Sequence, residues 1–294
     1  MKQILTTLLL INSLSAMEKQ VIQRKPREWN AQAYAEGNAM QNAANEYFFK
    51  SNNIQAKDLN ILEVGCGTGE QAAQLSQIAK HIHAIDASKN MVEYAKKQYP
   101  HLKNVTFEHC FAEDFQPQKK YQLALASCCV HWFENKKQAL QNINDSLEID
   151  GLFFANITTA NHPEPFTLVV FREMLQDIPI IGNWLSQCKN PSGQTAQPTH
   201  NELKTMLNET GFEIITCESQ SFNWTANKEE VRKWLYPIIT STPAIQYIPE
   251  TFVEPLFENF FHRCLDKLIK NDNGSYTWEY ITEIVYARKI KDQA

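Results

Sequence analysis

The chain predicts an α/β fold built on a doubly wound, mostly parallel sheet, and three observations predict it. Five short apolar strand patterns alternate with helical patterns between residues 60 and 157, the rhythm of βαβ units. The first strand runs straight into three alternate glycines, Gly65, Gly67 and Gly69, and the second closes on Asp86. Apolar residues make up 43% and charged residues 21% of the 294, ample for a core covered on both faces and unlike a disordered chain. Right-handed crossovers between parallel strands then make the sheet doubly wound.

Residues 31–50, rich in Ala and amides with Tyr34, Tyr47, Phe48 and Phe49, predict a helix capping the domain. The run 60–64 is apolar and ends in glycine, hence a buried strand; 70–80 has helical spacing. A second strand is expected at 81–86 and a second helix at 89–99, stopped by Pro100. Strands at 105–108 and 121–127, a helix at 136–147 and a strand at 151–157 complete the alternation. Beyond Thr159 the rhythm loosens: helices are expected at 163–176, 201–210, 228–236 and 252–270, and strands at 212–217 and 280–288. An excursion that returns to the sheet reads as a lid. Residues 17–294 are therefore taken as one domain, with a ligand-binding core at about 55–160 and lid insertions at about 160–200 and 222–275. Trp184, Trp224, Trp234 and the Phe257, Phe260, Phe261 group would form the lid core. Residues 1–16 are either a short secretory-type signal or an over-extended start ahead of Met17.

Charge narrows the function. Against 33 acidic residues stand 28 basic ones, a net −5, and polarity comes largely from 24 Asn and 22 Gln. No run of Lys or Arg exceeds two, so the concentrated basic face that nucleic acid or an anionic membrane requires is missing. The apolar stretch 4–11 is too short to span a bilayer. Seven cysteines without a CxxC pair argue against a disulfide framework or a cysteine zinc site and for free thiols. Those thiols favour a cytoplasmic protein, with export as the alternative if 1–16 is a true signal.

The segment Glu63-Val64-Gly65-Cys66-Gly67-Thr68-Gly69 is the most informative. Glycines let its backbone approach a ligand, and the following helix aims free N–H groups at it. Asp86, at the end of the neighbouring strand, can accept hydrogen bonds from a ribose diol. The spacing is G-x-G-x-G and not the G-x-G-x-x-G of dinucleotide sites. Glu63 would repel a pyrophosphate and suits a ligand bearing an ammonium group. This pattern resembles the first motif of class I S-adenosylmethionine-dependent methyltransferases. Asp86-Ala87-Ser88-Lys89-Asn90-Met91 resembles their second motif, and Phe111-Ala112-Glu113-Asp114 stands where the family has an acidic tripeptide near the adenine amine, with Phe111 where Asp is frequent.

The resemblance implies a Rossmann-like sheet of seven mostly parallel strands with the last one antiparallel. It implies S-adenosyl-L-methionine as cofactor, held by Glu63, Gly65, Cys66, Gly67, Thr68, Gly69, Asp86, Ala87, Met91, Ala112, Glu113 and Ser127. The Asn/Asp-Pro-Pro-Tyr tetrapeptide of enzymes that methylate exocyclic DNA amines is missing after the fourth strand, where Ser127-Cys128-Cys129-Val130 stands. Val130-His131-Trp132-Phe133 and Trp29-Asn30-Ala31-Gln32-Ala33-Tyr34 resemble the small-molecule branch that includes trans-aconitate, malonyl-carrier and juvenile-hormone-acid methyltransferases. That branch implies a small carboxylic acid as acceptor. His131 reads as a base or hydrogen-bond donor, or else as packing beneath the lid. Tyr34 reads as a catalytic group closing over the cofactor, Trp132 as a pocket wall, and Arg172 and Arg232 as carboxylate partners. Two other functions stay open: a nicotinamide-dependent dehydrogenase, and an S-adenosylmethionine-binding protein without catalysis.

Overall fold

The computed structural model describes residues 29–162, 166–176, 196–241 and 250–290. Residues 1–16, Trp184 and part of the first lid insertion, for which the sequence raises expectations, lie outside them. Helices α1 (Ala31–Gly37) and α2 (Ala39–Ser51) precede strand β1 (Asn60–Val64). Then follow α3 (Glu70–Leu75), β2 (His81–Asp86), α4 (Lys89–Gln98), β3 (Val105–His109), β4 (Tyr121–Ser127), a 3-10 turn (Val130–Trp132), α5 (Lys136–Ser146) and β5 (Leu147–Ile157). The later half holds α6 (Phe166–Gln176), α7 (His200–Glu209), β6 (Phe212–Ala226), α8 (Lys228–Thr240), α9 (Glu250–Leu265), β7 (Ile269–Lys270) and β8 (Tyr276–Lys289).

The strand order is β3-β2-β1-β4-β5-β8-β6, with the two-residue β7 on the flank of β8. β1 to β5 pair in parallel, and β8 lies antiparallel between β5 and β6. The direction of winding reverses between β1 and β4, so the carboxyl ends of those strands open a crevice there. Val64, Ala126 and Ile157 are buried at those ends. One apolar cluster packs α2, α3, α4 and the lid helices on one face of the sheet; another packs α5 and α7 on the other.

Several expectations are corrected. The capping helix 31–50 is two helices that meet at Asn38, and the helix expected at 70–80 ends at Leu75. The fifth strand begins at Leu147, four residues before the expected start. A shift of register between Tyr121 and Leu123 absorbs those residues as a bulge, with Asp150 at φ 62°. Strands β6 and β8 are far longer than expected: they pair from Phe212–Lys289 to Ala226–Tyr276, with one shift of register between Ile214 and Thr216. Residues 222–226 therefore belong to the sheet and not to a lid insertion. The chain leaves β6 where Asn227 and Glu230 form a capping box that opens α8. The last helix ends at Leu265 and not at residue 270, because Ile269 and Lys270 pair with β8. Trp224, Trp234, Phe257, Phe260 and Phe261 are buried together as a core, with Trp234 stacked on Trp278 at 4.9 Å between centroids.

Candidate cofactor and acceptor site

β1 delivers its chain to the crevice through a turn that needs left-handed backbone: Gly65 has φ 73° and Gly67 φ 54°. At Gly65 the demand is packing, since a Cβ there would stand 2.5 Å from the Cβ of Cys129. At Gly67 a Cβ would meet only the Tyr34 ring, at 3.7 Å, and would enter the cleft. The backbone N–H groups of Gly65 and Cys66 donate to Ile85 O at 2.8 and 3.0 Å, tying the turn to β2. Asp86 completes the clamp. Its Oδ2 accepts from Gly67 N–H at 2.9 Å and its Oδ1 from Ser88 N–H at 2.8 Å.

Glu63 sits behind the turn, 2% exposed, with no hydrogen-bond partner at Oε2. Burial, then the charges of Glu70 and Asp86, push its carboxyl up to about 8. A buried acid of this kind beside two other carboxylates calls for a cation. Thr68 is fully buried, and its hydroxyl donates to Glu70 Oε2 at 2.6 Å and accepts from Asn38 Nδ2 at 3.3 Å. Asn38 accepts in turn from Asn42 Nδ2 at 3.0 Å. Asn38, Gln41, Asn42 and Asn45 line one wall of the cleft, opposite the glycine turn and Ser127. Asn45 Oδ1 accepts from the buried Asn156 Nδ2 at 3.1 Å. Asn156 Oδ1 accepts from the N–H of Cys128, a residue held at φ 53°.

Sequence reasoning missed this amide wall. The signal was present in the spacing of 38, 41, 42 and 45, which puts four amides on one helical stripe.

Tyr34 is half-buried over the turn, with Trp29 at 5.4 Å; Trp29 also meets Trp132 at 5.9 Å, and Trp132 meets the buried His131 at 4.9 Å. Burial, reinforced by Cys128, Glu70 and Asp86, holds the Tyr34 phenol far above its ordinary value. Burial does the same to the thiol of Cys128 and the phenol of Tyr280, whose oxygen and sulfur stand 3.4 Å apart. All three therefore remain neutral near pH 7, each with a proton to donate. Met91 is buried at the start of α4, and Ala87 presents its carbonyl to His109 Nε2 at 3.0 Å. Cys66 is a buried thiol inside the turn.

Other candidates are placed elsewhere or engaged. Glu113 Oε1 accepts from the N–H of Glu134 at 2.8 Å and of Asn135 at 3.4 Å, so that oxygen braces the start of α5. Ala112 is buried, with its carbonyl on Asn142 Nδ2. The Arg232 guanidinium bonds Glu254 at 2.6 Å and Glu258 at 2.8 Å and lies over Phe257 at 4.8 Å. Two carboxylates already neutralise it, which removes it as an acceptor partner. Arg172 is exposed on α6. Six cysteines of the described residues are free thiols; Cys188 lies outside them.

The antiparallel penultimate strand, the glycine turn, the acid that clamps it and the buried Glu63 together define a class. Residues 61–151, the span that carries the glycine turn, Glu63 and Asp86, match the family model described as "Methyltransferase domain". Among curated relatives, a malonyl-[acyl-carrier protein] O-methyltransferase of Bacillus cereus is 35% identical over 101 residues, 33% of this chain and 37% of that protein. The chain thus spans little more than a third of that relative's length. In fold it is similar to the YcgJ protein of Bacillus subtilis, at a TM-score of 0.54 and 18% identity over 85% of this chain and all of that one. It is also similar to the [4+2]-cyclase SpnF, at 0.52 and 18% over 95% and 91%. Among the described residues no helix is long and apolar enough to cross a membrane.

Proposed function

We propose that the protein is a small-molecule O-methyltransferase whose acceptor is a carboxylate. The observation that carries the cofactor half is Glu63, a buried acid with an unpartnered oxygen behind a turn that Asp86 holds open. Glu63 would face the ammonium of the methionyl part, Asp86 the ribose hydroxyls, and the backbone at Gly67 would lie against the ligand. Met91 and Ala87 stand on the adenine side.

When bound, S-adenosylmethionine supplies a methyl group on a sulfonium, whose transfer to a carboxylate oxygen leaves a methyl ester and a neutral thioether. The protein's own groups fit an acceptor that arrives already nucleophilic. Tyr34 and Cys128, which line the cleft, are kept protonated by burial, so they would orient a carboxylate by donating hydrogen bonds and would withdraw no proton from it. The amides of Asn38, Gln41 and Asn45 add neutral donors. A low-dielectric cleft also favours cancelling an anion against a cation. His131 and Trp132 would wall the acceptor side, and the O-methyltransferase relative supports oxygen as the methylated atom. An acidic chain of this kind would work on a small acceptor in the cytoplasm, without nucleic acid.

The test is methyl transfer from labelled cofactor to a panel of carboxylic acids, phenols and amines, with ester formation read by mass spectrometry. Esters from acids alone support the proposal. Exclusive methylation of phenols or amines would overturn the acceptor, and S-adenosylhomocysteine binding with no turnover across the panel would overturn the reaction.

A further inference from the structure

A second group of chemistry-bearing side chains lies on the face of the sheet that α7 covers, whereas the amide wall of the cleft comes from α2 on the other face. Cys217 and Ser219 are two apart on β6 and so point to one side, and Glu283 on β8 stands opposite Ser219 in the register. Cys217 packs against the apolar cluster that contains Leu203 and Leu207 of α7, which fixes the side. The loop after β5 is stitched to the loop before α7: Ala160 N–H donates to Pro198 O at 2.9 Å and His200 N–H to Asn161 Oδ1 at 2.5 Å. This brings His162 and His200 over Glu283.

The distances are short. His200 Nδ1 is 2.7 Å from Glu283 Oε1, and Cys217 Sγ is 3.6 Å from the same oxygen. Ser219 Oγ is 3.2 Å from Glu283 Oε2, and His162 Nε2 is 2.9 Å from Ser219 Oγ and 3.6 Å from that oxygen. The nitrogen of His200, the sulfur and the carboxylate oxygen all lie within 4.8 Å of one another. Glu283 is 0% exposed. A single imidazole would suffice to pair a buried carboxylate; here a thiol converges as well, and a second imidazole stands behind. Imidazole nitrogen, thiol sulfur and carboxylate oxygen are the donor set of divalent zinc.

We propose that His200 Nδ1, Cys217 Sγ and Glu283 Oε1 form a three-ligand zinc-type site, with Ser219 and His162 fixing the other oxygen of Glu283. Tetrahedral bond lengths place donors about 3.4–3.6 Å apart, so the sulfur–oxygen spacing already fits. The imidazole and the carboxylate open by less than about 1 Å as the ion replaces the proton between them; that proton and the thiol proton pass to solvent, and the neutral ring keeps its proton at Nε2. A fourth ligand would enter from the side where Cys217 borders a surface groove with Lys204 and Asn208. Three protein ligands and one open place are the pattern of a zinc ion that can bind a further ligand.

The full chain, stripped with a chelator, is titrated with Co2+ and then Zn2+. One equivalent of Co2+ should give a thiolate-to-cobalt charge-transfer band that Zn2+ abolishes. Cys217→Ser should lose the band and bind Zn2+ at least tenfold more weakly, as should Glu283→Gln, which keeps hydrogen-bonding capacity toward His200 and Ser219. His162→Ala should keep the band with about 10–100-fold weaker affinity, the usual effect of losing an outer-shell partner. Cys110→Ser, a half-buried thiol on another strand's end, should behave as the parent, and circular dichroism reports that each variant is folded. No band and no zinc uptake at one equivalent would overturn the site. So would a folded Cys217→Ser or Glu283→Gln chain that binds zinc as tightly as the parent.

Discussion

Each carboxylate oxygen of Asp86 accepts from a backbone amide, Gly67 on one side and Ser88 on the other, which fixes the carboxylate where a ribose diol would meet it. Asp86→Ala is therefore expected to weaken S-adenosylhomocysteine binding by about 1–3 kcal/mol, the scale of an unsatisfied partner; isothermal titration checks it, and unchanged affinity would remove the ribose role. The glycines divide by what their missing side chain allows. Gly67→Ala should fold with a loss of about 1 kcal/mol from its left-handed backbone, while its cofactor affinity collapses. Gly65→Ala, driven into Cys129, should fail at the level of folding. Thermal unfolding beside ligand titration separates the two, and equal behaviour would contradict the close-approach argument. Residues of this turn were legible because backbone chirality is a local demand. The two carboxylates that stand against Arg232 sit on another helix, and nothing in its neighbourhood along the chain announces them.

Helix α1 is the element with the most to do. It holds Tyr34 over the turn and packs on α8 so tightly that a Cβ at Gly37 would lie 2.0 Å from Lys233 O. The space left in the cleft is about 40 Å³, the scale of water and far below the roughly 300 Å³ at which small-molecule sites begin. Cofactor entry therefore requires Tyr34 and its partners Trp29 and Trp132 to shift. Titration with S-adenosylhomocysteine should change tryptophan fluorescence, and Trp29→Phe should reduce that change by a large fraction at similar affinity. An identical signal in the variant would mean that α1 stays where it is. The break between α1 and α2 escaped sequence analysis because Asn38 is compatible with either a helix interior or a helix end; its bonds to Thr68 and Asn42 decide the matter.

Across the whole molecule, the buried acid couples folding to pH. Glu63 titrates near its ordinary value when unfolded and at about 8 when folded, so the folded chain binds more protons between about 4.5 and 8 and stability contributed by the neutral acid is lost as pH rises through that window. Denaturant unfolding at pH 5 and pH 8 should show parental stability falling relative to Glu63→Gln by an amount on the order of a few kcal/mol; parallel profiles would show that Glu63 ionises freely. A bound cation reverses the sign, because it favours the charged acid, so cofactor should stabilise more at pH 8 than at pH 5. The sequence by itself determined the alternation of elements, the glycine turn and the acid after it, since periodicity and backbone handedness act over a few residues. Tertiary structure alone decided the reach of β6 and β8, the amide wall across the cleft and the meeting of His200, Cys217 and Glu283. Those depend on pairing between distant segments, where the free energy comes from burial and register that no local pattern encodes.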